Sequence, residues 1–339
     1  MRQLECFCLA GFLLLLPLFA VAHKEPETPQ EIEVQRALQA AAYHCAPAVA
    51  EFTAARKRAL RQQNIAEPPE LAAQQEVFAS GVIDNLNGGG SDKTFLECSS
   101  VREGQIHNNT CVLTPEVTEG PYWHQAGHLI RQNIAEYQNG LLLLLDIGVI
   151  DVQTCKPLPG AIVDIWHANA SGLYGGEIWP EPPLSDPHPW NKKQTWLRGA
   201  WPTDRNGVSR FTTIFPGYYD NRATHIHVKV FTEWKALPNG SYTSDALMHT
   251  GQFFFDDDIN AHIDDIHPYT MNPIRNTHGR TRNWDDSGVF QDSRGAKKEY
   301  NPVFKVDLLG FIIPQGLIGY ITMGVNASAR YPGGEYPPE

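Results

Sequence analysis

The stretch FPGYYDNRATHIHVKVF, residues 215–231, joins a Pro-Gly turn and two adjacent tyrosines to a run that alternates polar and apolar residues. In its last part, HIHVKVF, the histidines stand two positions apart, which on a β-strand places both on one face. Two neutral imidazoles on one face of a strand make half of a metal site. An isolated His-x-His pair is more often packed or at the surface, so the neighbouring residues decide between these interpretations.

Beyond about residue 110 the chain has the pattern of a β protein. Short β-branched and aromatic runs alternate with Gly, Pro, Asn and Asp, which favours a β-sandwich or barrel. We therefore expect a mainly β fold, with a β-sandwich domain preceded by a short helical region. The apolar stretch 307–323 contains Pro314 and several glycines, and it predicts two buried strands around a turn rather than a membrane span. The predicted strands are 140–152, 161–168, 207–214, 225–233, 251–255, 303–308 and 316–323.

The first 22 residues have the features of a secretory signal peptide. Arg2 precedes an apolar run, and the run Ala20-Val21-Ala22 supplies small residues where cleavage would occur. A membrane anchor is the alternative, but the apolar run is short for a span and contains Pro17. The sequence thus predicts a secreted, extracellular protein whose mature chain begins at His23.

Residues 23–92 are predicted to form a helical N-terminal region and linker, followed by the β-sandwich domain at 93–339. Ala, Leu, Arg, Gln and Glu dominate 31–65 at roughly helical spacing, and Pro47 is expected to kink or divide this segment into two helices. The glycines at 88–90 mark a flexible joint. Three roles stay open for the helices: covering the mouth of the barrel, pairing subunits into a homodimer, or shielding the sandwich.

The cysteines and sequons agree with secretion. Four cysteines remain after the signal peptide, which in an oxidising compartment predicts two disulfides with three possible pairings. A bridge from Cys45 would join the helices to the sandwich. Sequons for N-glycosylation begin at four asparagines. The cysteines are Cys45, Cys98, Cys111 and Cys155, and the asparagines are Asn108, Asn169, Asn239 and Asn326.

The charge of the chain argues against two classes of partner. The formal net charge is −11, and the longest basic run is RKR at 56–58. A surface that follows nucleic-acid phosphates needs a basic stripe, and an acidic protein is not drawn to anionic membranes. We therefore expect no nucleic acid and no membrane among the partners.

The residues around the histidine pair supply phenols. Tyr218 and Tyr219 lie shortly before it, and Tyr174 follows a turn in DIWHANASGLYGG, residues 164–176. Phenolate is a hard oxygen donor that suits ferric iron, whereas zinc sites normally use His, Cys and carboxylates. If this constellation binds a metal, its composition favours Fe(III) over zinc.

Three blocks of the chain resemble the intradiol ring-cleavage dioxygenases, the family of the catechol and protocatechuate dioxygenases. The match runs from about residue 110 to 325. Within the family, the extracellular branch known from fungi is the most similar, because of the secretion signal, the helical N-terminal region and the sequence of residues 151–172. The blocks are TPEVTEGPYW (114–123), VDIWHANASGLYGG (163–176) and RFTTIFPGYYDNRATHIHVKVF (210–231), with GQFFFDD (251–257) beyond them.

The resemblance implies a non-haem Fe(III) held by Tyr174, Tyr219, His225 and His227. In the family the second ligand tyrosine follows Pro-Gly-x, which selects Tyr219 over Tyr218. In the family this tyrosine is also the ligand that the substrate displaces. The implied reaction inserts both atoms of O2 into a catechol or hydroxyquinol substrate. It opens the ring between the two hydroxylated carbons to a muconate-type product in the catabolism of aromatic compounds.

Further residues match positions around the substrate in this family. Arg222 and Gln252 match an arginine and a glutamine that act beside the electron-rich ring, where a fixed planar cation suits the task. Gly120, Pro121 and Tyr122, in EGPYW, match the substrate pocket, although Tyr122 fits simple core packing equally well.

Other conspicuous residues are interpreted as structural. Asp164 and Trp166 share one face of a predicted strand and are expected to brace the approach to Tyr174, whereas His167 faces the other side. The acidic run at 256–258 lacks the spacing of a calcium loop and predicts a solvated turn.

Two other functions compete with the dioxygenase. One is a secreted module that binds phenolic compounds in the same sandwich without turnover. The other is a secreted zinc hydrolase that uses His225 and His227, for which the sequence offers no Glu or Asp beside the histidines.

Overall fold

The computed structural model describes residues 45–64, 115–124, 128–176, 194–286, 288–294 and 300–330, together with the isolated residues 29 and 33. The predicted signal peptide at 1–22 and the predicted domain boundary near residue 92 lie outside these ranges and stay predictions. Cys98, Cys111 and the sequon at Asn108 lie outside them as well.

The described residues form eleven strands and three α-helices. Three short 3-10 helices lie at Tyr269–Met271, Asn283–Asp285 and Ile313–Gln315. The α-helices are α1 (Ala46–Asn64), α2 (Asp257–Asp264) and α3 (Val289–Ser293). The strands are β1 (Leu142–Asp151), β2 (Lys156–Pro157), β3 (Ile162–Trp166), β4 (Arg198–Pro202), β5 (Val208–Ile214), β6 (His225–Phe231), β7 (Trp234–Ala236), β8 (Tyr242–Ser244), β9 (Leu247–Phe254), β10 (Lys305–Leu308) and β11 (Leu317–Val325).

Two sheets make up the body of the protein. In sheet I, β10, β11 and β1 lie side by side, and both β5 and β2 pair with β1. The β1–β11 pair is parallel, while the other pairs of sheet I are antiparallel. Sheet II has the antiparallel order β4-β3-β6-β9, and β7 and β8 form a separate hairpin. This is the mainly β fold expected from the sequence.

The core lies between the two sheets because alternate residues of facing strands point inward. The inner residues are aliphatic, and burying each contributes about 1.5–3 kcal/mol relative to exposure. In β6 the even-numbered residues enter the core, which leaves the odd-numbered ones on the outer face of sheet II. The inner residues include Leu143, Leu145, Ile147 and Val149 of β1, Val163 and Ile165 of β3, and Ile226, Val228 and Val230 of β6.

Each of the seven predicted strands overlaps an observed one. The strand predicted at 251–255 is the end of a longer strand, because β9 begins at Leu247 and pairs with β6 across a register shift at Val230 and Phe231. The stretch 307–323 does contain two strands around a turn, parts of β10 and β11. Among the described residues, no helix has both the length and the apolar character needed to cross a membrane.

Helix α1 covers the outer face of sheet I. It begins beside Pro47, which sits in its first turn, where a missing backbone N–H costs nothing. A disulfide joins Cys45 to Cys155 with 4.9 Å between the Cα atoms, and Val49 packs with Ile150 in the same small cluster. The described helix therefore shields the sandwich, while the pairing of subunits stays a prediction.

A buried ion pair fixes α1 on sheet I. Arg56 is 5% exposed, and its Nε lies 3.3 Å from Oδ1 of Asp146 in β1. Its Nη2 donates to the Ile321 carbonyl at 3.0 Å. A Cβ at Gly148 would lie 1.9 Å from Arg56 Nη1, so the glycine makes room for the guanidinium. Arg210 donates to the second oxygen of Asp146 at 2.9 Å.

Replacing Arg56 by methionine is expected to lower the free energy of unfolding by about 3 kcal/mol, because Asp146 is left buried with a single, half-exposed partner. Urea denaturation of the wild type and of Arg56→Met measures this difference in the free energy of unfolding. Arg58 lies on the same helix and is exposed, so Arg58→Met serves as the matched control, with a change within about 0.5 kcal/mol. Equal midpoints for Arg56→Met and Arg58→Met would show that α1 does not depend on this ion pair.

Candidate metal centre and active site

Strand β6 presents His225 and His227 on the outer face of sheet II. They are 3% and 1% exposed, because the segment at 115–124 and the loops that carry Tyr174 and Tyr219 cover this face. His225 donates from Nδ1 to the Ala223 carbonyl at 2.7 Å, which leaves the lone pair of its Nε2 free for another partner. The ring of His227 stacks on Trp166 at 4.8 Å with an interplanar angle of 8°.

Two glycines let the loops of Tyr174 and Tyr219 come together above β6. Gly172 has a φ of +83°, and a Cβ there would lie 2.2 Å from the Tyr218 carbonyl oxygen. A Cβ at Gly217 would lie 2.5 Å from the carbonyl oxygen of Ala170. Since side chains at these positions would separate the loops, the glycines of the sequence motifs account for the close approach of the two tyrosines.

The donor atoms of Tyr174, Tyr219, His225 and His227 converge. His225 Nε2 lies 3.0 Å from His227 Nε2, 3.3 Å from Tyr219 Oη and 3.4 Å from Tyr174 Oη. His227 Nε2 lies 3.1 Å from Tyr174 Oη. Donors bound to one ion at about 2.1 Å are about 3.0–3.4 Å apart at angles of about 90–110°. The spacing therefore fits four ligands of a single metal ion.

Burial sets the protonation of these side chains. It lowers the pKa of both His225 and His227 well below the ordinary value, and the nearby Arg222 adds to the effect. Both imidazoles are thus neutral at neutral pH, the form that binds metals. Burial raises the pKa of Tyr174 and of Tyr219, so without a cation both phenols keep their protons. A cation in the cluster would supply the charge that stabilises phenolates.

Of the two adjacent tyrosines, it is Tyr219 that joins the cluster. Tyr218 is buried on the other side, where the Arg280 guanidinium lies 4.4 Å from its ring centre. This is the arrangement expected of neighbouring residues in an extended segment.

Arg222 and Gln252 lie beside the cluster, where the sequence motifs place them. Arg222 donates from Nη1 to Tyr219 Oη at 3.3 Å and from Nη2 to Gln252 Oε1. Gln252 is 1% exposed, stands opposite His227 in the β6–β9 pairing, and donates to the Thr118 carbonyl at 2.9 Å. Burial alone would lower the pKa of Arg222, but Tyr219 and Asp286 together hold it above its ordinary value.

The segment at 115–124 forms one wall of the site. Gly120 has a φ of +74°, and a Cβ there would lie 3.3 Å from Cε1 of His227, so the position suits glycine. Tyr122 stacks on Tyr174 at 4.3 Å and meets Tyr219 edge-on at 6.0 Å, which places its ring against two of the four candidate ligands. Pro121 is exposed to solvent.

A buried ion pair holds this wall, and sequence reasoning missed it. Lys229, 1% exposed, pairs with Glu119 and lies 4.2 Å from the ring centre of Trp123. The sequence does indicate that Lys229 lies beside the site, because it stands two residues after His227 and therefore shares its face of β6.

A second buried cation, Arg198 of β4, joins the wall to the loop of the first tyrosine. It donates from Nε to the Gly175 carbonyl at 2.9 Å and from Nη1 to the Tyr122 carbonyl. Its guanidinium lies 5.9 Å from the ring centre of Tyr174. Nothing in the sequence around Arg198 indicates this role, because its partners are backbone carbonyls of distant segments.

The residues interpreted as structural do support the site. Trp166 backs His227, and Asp164 accepts hydrogen bonds from His128 Nδ1 at 2.5 Å and Tyr242 Oη at 2.6 Å. His167 faces away, as expected, and accepts a hydrogen bond at Nε2 from Thr213 of sheet I at 2.8 Å. Burial lowers the pKa of His167 to about 4, so it stays neutral.

The prediction of a solvated turn at the acidic run is wrong. Asp256 is 7% exposed and caps α2, where its side chain accepts from the Asp258 N–H. Asp257 is 2% exposed and accepts from the backbone N–H of Asn283 at 3.2 Å. Carboxylates are favoured in the first turn of a helix, which explains why the run begins one. In the described part of the chain, no group of three or more His, Cys, Asp or Glu side chains could hold a metal.

Comparisons with known proteins agree with the fold and with the family that the sequence resembles. The family model described as Dioxygenase matches residues 118–265. The structure of an intradiol ring-cleavage dioxygenase from Tetranychus urticae is 33% identical, with 65% of this chain and 98% of that chain covered and a TM-score of 0.52.

Two catechol 1,2-dioxygenases are also similar. That of Acinetobacter baylyi is 31% identical over 138 residues, which are 34% of this chain and 40% of that protein. Catechol 1,2-dioxygenase 1 of Acinetobacter lwoffii is 28% identical over 144 residues, 35% of this chain and 42% of that protein. The chain thus spans about two fifths of the length of these relatives, and its placement in the fungal branch stays a prediction. The near-complete coverage of the Tetranychus urticae protein, at a third of positions identical, shows that this chain belongs to the intradiol ring-cleavage dioxygenase family.

Proposed function

We propose that the protein is a secreted non-haem Fe(III) intradiol dioxygenase that acts on catechol-type aromatics. The observation that carries this proposal is the convergence of two phenolic oxygens and two imidazole Nε2 atoms with separations of 3.0–3.4 Å. A donor set of two phenols and two imidazoles suits ferric iron. The catechol 1,2-dioxygenases among the relatives support the choice of substrate class.

Tyr174, Tyr219, His225 and His227 would hold the iron. Ferric iron held by these residues would supply a Lewis acid that makes the ring of a catechol reactive towards dioxygen. Tyr219 is the residue suited to take up a substrate proton at Oη. The resemblance implies that the ligand at this position is the one that the substrate displaces, and a displaced phenolate oxygen is basic enough to accept a proton.

Arg222 is suited to stabilise negative charge on the substrate ring. Its guanidinium is fixed on one side by Asp286 and on the other by Gln252 and Tyr219. A cation that is already oriented costs no reorganisation when charge develops, which is why such groups lower reaction barriers. Tyr122, stacked against Tyr174, offers a flat aromatic surface to a planar ring.

Secretion is part of the proposal. The predicted signal peptide at residues 1–22 and the acceptor sequons support it. A disulfide between Cys45 and Cys155 also supports it, because disulfides persist in oxidising compartments. Asn239 suits a glycan because it is exposed at the turn between β7 and β8, whereas the Asn169 side chain donates to Gln138 and accepts from the Leu173 N–H.

The activity is tested by oxygen uptake with catechol, protocatechuate, hydroxyquinol and caffeate, while ultraviolet absorbance follows the muconate-type product. We expect one O2 consumed per ring opened with at least one of these substrates, and no turnover with phenol, which lacks the second hydroxyl. Protein that contains iron and binds catechol without consuming oxygen would instead be a binding module. Protein that takes up zinc in preference to iron would contradict the proposed cofactor.

Iron binding is tested with a matched pair of tyrosine variants. The protein from iron-replete medium should be red-brown, because tyrosinate-to-iron charge transfer absorbs visible light. Tyr219→Phe removes one donor atom and should lose or strongly shift this band, whereas Tyr218→Phe should keep both the band and the iron content. Equal spectra for the two variants would exclude Tyr219 as a ligand.

Secretion and glycosylation are tested in a eukaryotic secretory host. The protein recovered from the medium should begin at His23 and carry a glycan at Asn239 but none at Asn169, as read by peptide mass spectrometry. Asn239→Gln should migrate faster in electrophoresis with unchanged activity. Retention of residues 1–22, or a glycan at Asn169 in active protein, would contradict this prediction.

A further inference from the structure

Asp286 is a buried carboxylate that the motifs of the chain do not account for. It follows the 3-10 helix Asn283–Asp285, 64 residues after Arg222, and is 1% exposed. It accepts from Arg222 Nε at 2.6 Å and from Arg222 Nη2 at 3.4 Å. A backbone hydrogen bond from Ala223 reaches the same carboxylate.

The remaining contacts of Arg222 all lie at the candidate metal centre. Nη1 donates to Tyr219 Oη at 3.3 Å, and Nη2 donates to Gln252 Oε1. A guanidinium is planar, so two contacts along its Nε edge determine where Nη1 points. The carboxylate of Asp286 therefore sets the direction in which the cation faces Tyr219.

The segment that carries Asp286 is firmly packed on the strand that carries Gln252. Asn283 donates from Nδ2 to the Phe255 carbonyl at 2.9 Å, just beyond the end of β9. Phe290 of α3 meets Phe254 edge-on at 5.1 Å, and both belong to a buried cluster with Ala223. Asp286 and Gln252 thus approach Arg222 from one rigid unit.

We propose that Asp286 is a positioning residue of this active site, which holds the Arg222 guanidinium in the plane where it meets both Tyr219 and Gln252. The carboxylate of Asp286 contacts Arg222 and the backbone N–H of Ala223, so it acts on the candidate site through Arg222. The inference rests on the proposed function.

The test is Asp286→Asn, which keeps the shape of the side chain and removes its charge. All four candidate ligands are untouched, so the iron content should equal that of the wild type. Arg222 acts on charge that develops during the reaction, so kcat should fall about 10- to 100-fold while KM changes less than about threefold. The tyrosinate-to-iron band should shift, because the hydrogen bond from Arg222 to Tyr219 Oη is weakened.

Asp285→Asn is the matched control. Asp285 is the adjacent residue, is exposed, and carries the same charge. This variant should keep the kcat, the KM and the absorption band of the wild type. If Asp286→Asn also keeps kcat within twofold and leaves the band in place, the positioning role is refuted.

A double-mutant cycle covers the case in which Asp286→Asn alone folds poorly, since it leaves Arg222 buried without its counter-ion. Arg222→Gln combined with Asp286→Asn removes both charges together. If Asp286 acts through Arg222, the double variant should match Arg222→Gln in band position and residual kcat. A further shift or loss in the double variant would overturn the proposal.

These outcomes separate the inference from the proposed function. A wild-type protein without iron or ring cleavage would refute the function itself. Wild-type turnover together with an unaffected Asp286→Asn would refute the role of Asp286 alone.

Discussion

The two-residue period of β6 is the constraint on which the rest of the structure depends. Its even-numbered residues fill the space between the sheets, so its odd-numbered residues, among them His225, His227 and Lys229, must lie on the outer face of sheet II. Imidazoles left in water there would titrate near neutral pH, and a protonated imidazole cannot bind a metal. The outer face therefore has to be covered as thoroughly as the core, and the wall at 115–124 and the loops of Tyr174 and Tyr219 provide the cover.

Covering that face with polar loops creates a second requirement, because buried charges are costly unless they are paired. The structure satisfies it with cations that each join separate segments. Lys229 of β6 pairs with Glu119 of the wall. Arg198 of β4 donates to the carbonyls of Gly175 and Tyr122. Arg222, in the turn before β6, pairs with Asp286. Since each cation reaches across sheet II or its loops, the electrostatics and the shape of the site are fixed by the same contacts.

The sequence was informative where the chemistry is local. Short β-branched and aromatic runs between turn residues located the seven predicted strands, and the resemblance to the family, in which a tyrosine follows Pro-Gly-x, selected Tyr219 over Tyr218. Sequence reasoning predicted no strand at β4 or at the short strands β2, β7 and β8. In β4, RGAWP combines Gly and Pro on an edge strand with little β pattern. Sequence reasoning also failed for Asp286 and Arg198, whose partners are far away in the chain. No period or spacing connects residues 222 and 286, so their contact follows only from the folded packing of α3 on β9.

This difference between local and remote determinants has a consequence for the family. The four candidate donor atoms come from short motifs, and metal centres in general tolerate little change in ligand geometry. The orientation of Arg222 depends instead on a segment after β9 that carries no such motif, and its register is set by Asn283 on the Phe255 carbonyl and Phe290 on Phe254. Two proteins could thus share all four donors and still differ in how firmly the cation faces the substrate. In this protein the orientation of the Arg222 guanidinium depends on the packing around α3, and this packing can vary while the four candidate ligands stay the same.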